Sequence, residues 1–585
     1  MKIARDKIVS RILFWGAILI LILYPLRHVG VGVDLWDAGY NYANFRYPGS
    51  EYMDSMWYYA TWLANQVGTF LTRLPFAGTM LGMNIYTGLI VSLMAVISWL
   101  FAVKKIGVPG WVAFIGEIMA ISLCWAPTAV LYNYLTYLLL LVGTIFLYQG
   151  LVKEKRSYLI VAGAVLGCNV AVRFSNLPQM ALIIAVWSNG LIHRKKFSVV
   201  LKQTGFCVLG YVAAVAAYLL LVTGLYGTSD YIEGIRRLFG MTETAEDYAP
   251  TYMLKTLFDT YYESTYWLKR YALAVVGEFA LLLVLPGKFE KIKKGLIIVL
   301  TLTVTGWLIE KGFFYPDYHT YQAIFHPCVT VFILLLLLAG WQLVSRSATR
   351  EEKLMAVIMM VTLLITSLGS NNAVYSSINN LFLVFPWFMG VLWKFLKEKK
   401  IWYFPFQVLM SVTVLLLLVL SLRFGRTFVY EQATGGRNMD TVVEDVAVLK
   451  GIKTSKQKAM ELTDLYRYLK EHDLIGRECL LYGEIPAVAY YMELPPAINV
   501  WSDLRSYTYE TMREDLEQLS VQTAAGKRPV IILEAAVQDY LEGSASAQEV
   551  FLDGTAADKM GLITEFMKEH SYQLAYSNEK YVVYF

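Results

Sequence analysis

The chain has 585 residues, of which 57% are hydrophobic, 15% aromatic and only 17% charged, with a formal net charge of +5. A soluble domain carries about 25% charged residues, so this composition excludes an ordinary water-soluble protein and points to the membrane class. The small net charge gives no reason to invoke a nucleic-acid partner.

The basic head MKIARDKIVSR leads into an apolar stretch at 11–27. It resembles a secretory signal, but the flank PLRHVGVGVD offers no small-x-small cleavage site, so an uncleaved first span is expected. Further apolar stretches lie at 80–102, 111–127, 133–150, 157–172, 178–192, 198–223, 271–287, 294–310, 323–344, 353–369, 379–395 and 402–423. A helix needs about 20 apolar residues to cross a bilayer, and the pattern predicts a polytopic α-helical membrane protein with about thirteen transmembrane helices. Basic residues fall on alternate connections: Lys104 and Lys105; Lys153, Lys155 and Arg156; Arg194, Lys195 and Lys196; Lys288 to Lys294; Arg346 to Lys353; Lys394 to Lys400. By the positive-inside rule these connections and the N-terminus are cytoplasmic.

Of the outward connections, two are long, 28–79 and 224–270. Each contains an aromatic, amphipathic stretch expected to lie as a helix in the membrane interface. After about residue 424 the composition turns soluble. ELTDLYRYLKEHD has helical periodicity, ECLLYG is a short apolar run before the helical IPAVAYYME, RPVIILEA reads as a buried strand, and QLAYSNEKYVVYF reads as a terminal hairpin turning at SNEK. Residues 1–423 are therefore expected to form a transmembrane domain and 424–585 an extracytoplasmic α/β domain. No glycine-rich phosphate loop follows a strand, which argues against a nucleotide donor.

The segment GVDLWDAGYNYANFRY, residues 32–47, concentrates the chemistry. Asp34 and Asp37 follow the first span directly, among aromatic residues expected to rest on the bilayer surface. One reading is helix capping. The other is a general base whose pKa is raised by desolvation. A lone base implies inversion at a sugar carbon, since retention needs a second carboxylate about 5 Å away. Three residues apart on one helix, the two could share a face and bind a divalent cation, Mg or Mn.

Cations that could meet a phosphate are Arg46, Arg173, Arg236 and Arg237. Arg173 ends an otherwise apolar span, where an arginine is expensive unless it faces a polar cavity, an anion or the outer headgroups. Arg236 and Arg237 sit on an amphipathic stretch suited to lipid phosphates. His319, beside Asp317, reads as an acid–base or metal pair or as an ordinary loop histidine. Asn133, Asn176, Asn371, Asn372, Asn379 and Asn380 lie at the outer ends of spans, as helix caps or as a sugar-binding rim, and Tyr40 of the first loop is a further substrate-binding candidate. Five scattered cysteines have neither metal-ligand nor disulfide spacing.

An acidic motif directly after the first span, Asp37 with Tyr40 in WDAGY and Asp34 just before it, resembles that of the GT-C superfamily of integral-membrane glycosyltransferases. The long first loop, the many spans and the C-terminal soluble domain resemble it too. Protein O-mannosyltransferases and bacterial aminoarabinose transferases are members. Ala38 stands where many members have Glu. The resemblance implies a GT-C fold, a polyprenyl-phosphate sugar as donor, a first-loop Asp as base, membrane lipids around it, and a glycan, lipid or protein acceptor; with no organelle signal in the sequence, a bacterial plasma membrane is the expected location. Two other readings share these features: a transporter or flippase of a lipid-linked sugar, and a wall-polymer polymerase or ligase.

Overall fold

The structure, a computed structural model, describes residues 2–48, 55–125, 131–244, 249–368, 372–431, 434–551 and 554–585. The first apolar helix, α1 (Lys2–Leu23), runs through a 3-10 turn into the acidic loop. Three short helices follow: α2 (Asp37–Arg46), α3 (Ser55–Ala60) and α4 (Trp62–Leu71). The bundle continues through α5 (Met80–Phe101), α6 (Gly110–Leu123), α7 (Leu131–Val152), α8 (Arg156–Val172), α9 (Ile183–His193) and α10 (Phe197–Tyr226). Next come α11 (Thr228–Thr244), α12 (Pro250–Val284), α13 (Glu290–Glu310), α14 (Phe325–Val344) and α15 (Arg350–Ile365). The short α16 (Tyr375–Asn379), α17 (Val384–Phe395) and α18 (Phe404–Thr427) complete it.

Among the described residues, helix lies within every stretch expected to span. Among the described residues six helices are long and apolar enough to cross a membrane, and four shorter apolar ones accompany them. The short ones have a physical reason. The 14 residues of α6 reach only ~21 Å at 1.5 Å each, less than the ~30 Å hydrocarbon core. Irregular but buried backbone makes up the difference, as at 380–383 before α17. The expected span at 178–192 is a 3-10 segment (Phe174–Leu182) containing Pro178, followed by α9. The amphipathic stretch at 251–271 is not a separate interfacial helix. It is continuous with the next span in the 35-residue α12, because no Gly or Pro interrupts it before Gly277.

The basic connections gather at one end of the bundle, where Lys195 meets Glu154 at 2.7 Å and Lys394 pairs with Glu352. The acidic loop lies at the other end, with the ends of α6, α8 and α18 and the starts of α7 and α14.

Beyond α18 the chain forms two small ladders, β1 (Tyr430–Glu431) with β2 (Thr434–Gly435), and β3 (Thr441–Val442) with β4 (Lys453–Thr454). A four-stranded sheet follows, built of β5 (Cys479–Tyr482), β6 (Val530–Glu534), β7 (Leu574–Ser577) and β8 (Tyr581–Tyr584) in the order β5-β6-β8-β7. β5 and β6 are parallel, and the terminal hairpin pairs antiparallel onto β6. Period-two alternation divides the strands between two cores. Leu480, Tyr482, Ile531 and Leu533 meet the helices 509–524 and 554–569 on one face. Cys479, Leu481, Val530 and Ile532 face the other way, where the core includes Val33, Leu35, Tyr42 and Phe45 of the acidic loop. The hydrophobic core thus runs across residue 424 and seats the C-terminal unit on α2.

That seating corrects one expectation. The aromatic residues of 32–47 do not rest on a bilayer surface, since Ala38 to Phe45 are all buried within the protein. Gly39 allows the closest approach: a Cβ there would lie 2.0 Å from the Ala487 Cβ.

Candidate active site

Asp34 and Asp37 do not share a helix face, because α2 begins at Asp37. The fully buried Asp34 carboxylate accepts hydrogen bonds from the Ala38 N–H at 2.8 Å and the Trp36 N–H at 3.3 Å. It therefore serves the exposed donors at the start of α2 and the positive end of its dipole. Its backbone carbonyl accepts the Tyr491 hydroxyl from the C-terminal unit.

Asp37, only partly buried, accepts the Tyr430 hydroxyl at 2.6 Å. Its carboxyl is pushed up to about 6, first by loss of water around it and then by the charge of Asp34; the Tyr430 hydrogen bond and the Arg173 charge pull the other way. Tyr430 is itself pushed up by burial and by both aspartates, so it stays protonated and donates.

Aromatic rings wall this recess. The Tyr430 ring stacks on Trp125 with centroids 5.7 Å apart and planes at 12°. Trp125 lies 5.2 Å from Tyr321, which in turn contacts Tyr375 at 5.2 Å and Phe428 at 4.8 Å. The Tyr321 hydroxyl is buried among these rings without a hydrogen-bond partner. On the far side Arg173 sits over the Tyr132 ring at 5.0 Å, and a long 3.5 Å bond runs from Nη1 to the Asn133 Oδ1. Arg173 takes this position because α8 ends there, at an extended residue whose N–H still caps the Asn169 carbonyl.

Asp37, Asp34, Arg173 and Asn133 are thus brought together. Tyr40 lies one turn along α2, its ring 5.1 Å from Trp501 of the C-terminal unit. The remaining predicted residues are engaged elsewhere. Arg46 binds Glu493 at 2.6 Å, tying α2 to the C-terminal unit. Arg237 lies 3.7 Å from Glu514 and 3.3 Å from Glu233, while the exposed Arg236 is 3.8 Å from Glu233. Asn176 binds Thr136 and Asn169 inside the bundle, at 2.8 Å each. The His319 Nδ1 lies 3.1 Å from the Gly436 carbonyl, while Asp317 pairs with Arg437. Asn372 is exposed in the turn before α16, and Asn371 lies outside the described residues.

Sequence reasoning missed Tyr430, Trp125 and Tyr321. Each stands within a few residues of the end of an apolar helix, the position that marked Arg173, and that spacing was the available signal.

A divalent cation of the Mg type takes about six oxygen ligands. It keeps several of these as waters and binds the protein through one or two carboxylates, of which the acidic loop presents Asp37, with one oxygen bonded to Tyr430. Among the described residues no three His, Cys, Asp or Glu side chains gather to hold a metal.

No protein-family model matches the chain, and no curated protein matches it. Solved structures similar to it include the Archaeoglobus fulgidus oligosaccharyltransferase tethered to an acceptor peptide, with 12% identity over 98% of this chain and 74% of that one and a TM-score of 0.46. The Archaeoglobus fulgidus oligosaccharyltransferase AglB in complex with an inhibitory peptide and a dolichol-phosphate is 11% identical over 91% and 70%, with a TM-score of 0.44. ArnT from Cupriavidus metallidurans bound to undecaprenyl phosphate is 12% identical over 98% and 97%, with a TM-score of 0.40.

Proposed function

We propose that this protein is a GT-C-type membrane glycosyltransferase that moves a sugar from a polyprenyl-phosphate-linked donor to a glycan, lipid or protein acceptor at the acidic end of the bundle. The observation that carries the reading is the Asp37 carboxylate, part-exposed in an aromatic recess, raised to about 6 and lying within the field of Arg173. A carboxylate of that pKa is ionised at neutral pH and basic enough to take a hydroxyl proton.

In the proposed step the acceptor oxygen attacks the anomeric carbon while its proton passes to Asp37. The bond from that carbon to the phosphate oxygen breaks, and the electron pair leaves with the lipid monophosphate. Arg173 compensates the charge that develops there. With one carboxylate available as base, the anomeric configuration inverts. Asp34 holds the start of α2 and so the direction of Asp37. Asn133 stands with Arg173 beside the base, while Tyr40 is packed against Trp501 of the C-terminal unit. The acidic end is extracytoplasmic in this reading, the N-terminus cytoplasmic and the membrane a bacterial plasma membrane.

The test uses the full chain in lipid nanodiscs with a synthetic undecaprenyl-phosphate sugar series and a hydroxyl acceptor series. Asp37→Asn should lower transfer by about 100- to 10,000-fold, the usual worth of a general base. Wild-type turnover in that variant removes the base assignment. Movement of the lipid-linked sugar across a vesicle without transfer, in the unmodified protein, replaces the reading with a transporter.

A further inference from the structure

We infer that Tyr430 is a positioning residue for Asp37, and that the C-terminal unit, through Tyr430, fixes both the direction and the ionisation of that carboxylate. This rests on the assignment of Asp37 above, though its test does not.

The geometry is built from three sides. The Tyr430 hydroxyl reaches Asp37 at 2.6 Å, and its ring is held flat against Trp125 at the end of α6. The next residue, Glu431, pairs with Lys458 in the first turn of the helix Lys456–Glu471. The same Lys458 ammonium donates to the Val33 carbonyl at 3.2 Å, just before Asp34. Beside it the Gly32 N–H binds the Lys453 carbonyl at 2.8 Å, and the Lys453 N–H binds the Gly30 carbonyl at 2.9 Å. The acidic loop is therefore tied to residues 430–431 and 453–458 by backbone bonds, by the Lys458 ammonium and by the tyrosine. A side chain that served packing alone would not aim its one polar atom at the carboxylate.

The charged and titratable groups facing Asp37 are Asp34 on its own loop, Arg173 at the end of α8, Tyr132 at the start of α7, Tyr321 before α14, and Tyr430. Of these, Tyr430 is the group hydrogen-bonded to the Asp37 side chain. A hydrogen bond to a charged group is strong enough to move an ionisation by about one pH unit.

The experiment is an infrared pH titration of the full chain in nanodiscs, following the carboxyl band that disappears in Asp37→Asn. Tyr430→Phe removes one oxygen and keeps the ring. Its Asp37 midpoint should move up by about one pH unit. Lys458→Met, which releases that tie without touching the recess, should move the midpoint in the same direction by less. An unmoved midpoint in a folded Tyr430→Phe overturns the inference; should that variant not fold, an unmoved midpoint in Lys458→Met overturns it. Because no substrate is present, this result stands apart from the transfer assay: loss of the base assignment there leaves the titration interpretable, and the reverse holds too.

Discussion

A carboxylate beside a second carboxylate, a phenol and a guanidinium ionises according to which neighbour acts most strongly. At Asp37 withdrawal of water dominates and Asp34 adds to it, which is why the carboxyl titrates near 6 rather than at its ordinary 3.8. The sign for folding follows. The folded chain holds this proton more tightly than the unfolded chain, so the stability it contributes is full below 3.8 and is lost as pH rises through about 6. Ionised Asp37 is therefore a strained state, kept in place by its surroundings. The neighbours pull in opposite directions, and substitutions should separate them. Asp34→Asn removes a negative charge while keeping an oxygen to cap α2, so the acid limb of the rate profile should move to lower pH. Arg173→Gln removes the positive charge, so the limb should move to higher pH, with loss of donor affinity besides. A pH series of initial rates checks both. A shift of the same sign in the two variants would contradict the charge arrangement.

At the scale of elements, the acidic end depends on how closely α2 can approach the segment 483–491. Gly39 and Ala487 make the nearest contact, and the Ala487 N–H binds the Leu35 carbonyl at 3.0 Å in the same seam. Gly39→Ala forces a methyl against that backbone. Overpacking of this kind costs about 1–3 kcal/mol, and it should lower the thermal midpoint and expose the C-terminal unit to limited proteolysis. Ala487→Gly in the same chain should restore part of the loss, since the tightest clash is Cβ to Cβ, and a double-mutant cycle measures that coupling. The seam also marks where the sequence was legible. Apolar length placed the helices, an unbroken apolar run gave the buried strand at RPVIILEA, and the turn SNEK gave the terminal hairpin, because burial on both faces of a sheet leaves a continuous local signature. The acidic loop was legible as chemistry but not as location. Its aromatic residues suit a lipid interface and a protein interior equally, and only the partner at 479–500, more than 400 residues away, decides between them. Tyr430 was hidden for the same reason: its partner Asp37 is remote in the chain.

For the molecule as a whole, the alternation of helices puts every basic connection at one end and the acidic loop, Arg173 and the C-terminal unit at the other. The two ends therefore belong to different compartments once the bundle is in a bilayer, and the proposed reading puts the basic end in the cytoplasm by the positive-inside rule. The cysteine inventory makes this measurable. Cys124, Cys207, Cys328 and Cys479 are buried, and the exposed Cys168 lies within the apolar helix α8, so a membrane-impermeant maleimide meets little native background. Ser544 is exposed in the C-terminal unit, and Ser347 is exposed in the basic connection between α14 and α15. Ser544→Cys should be labelled on intact cells, whereas Ser347→Cys should be labelled only after the membrane is broken. The opposite pattern would place Asp37 in the cytosol, where a donor displayed on the outer leaflet could not reach it, and the proposed transfer would have no route to its substrate.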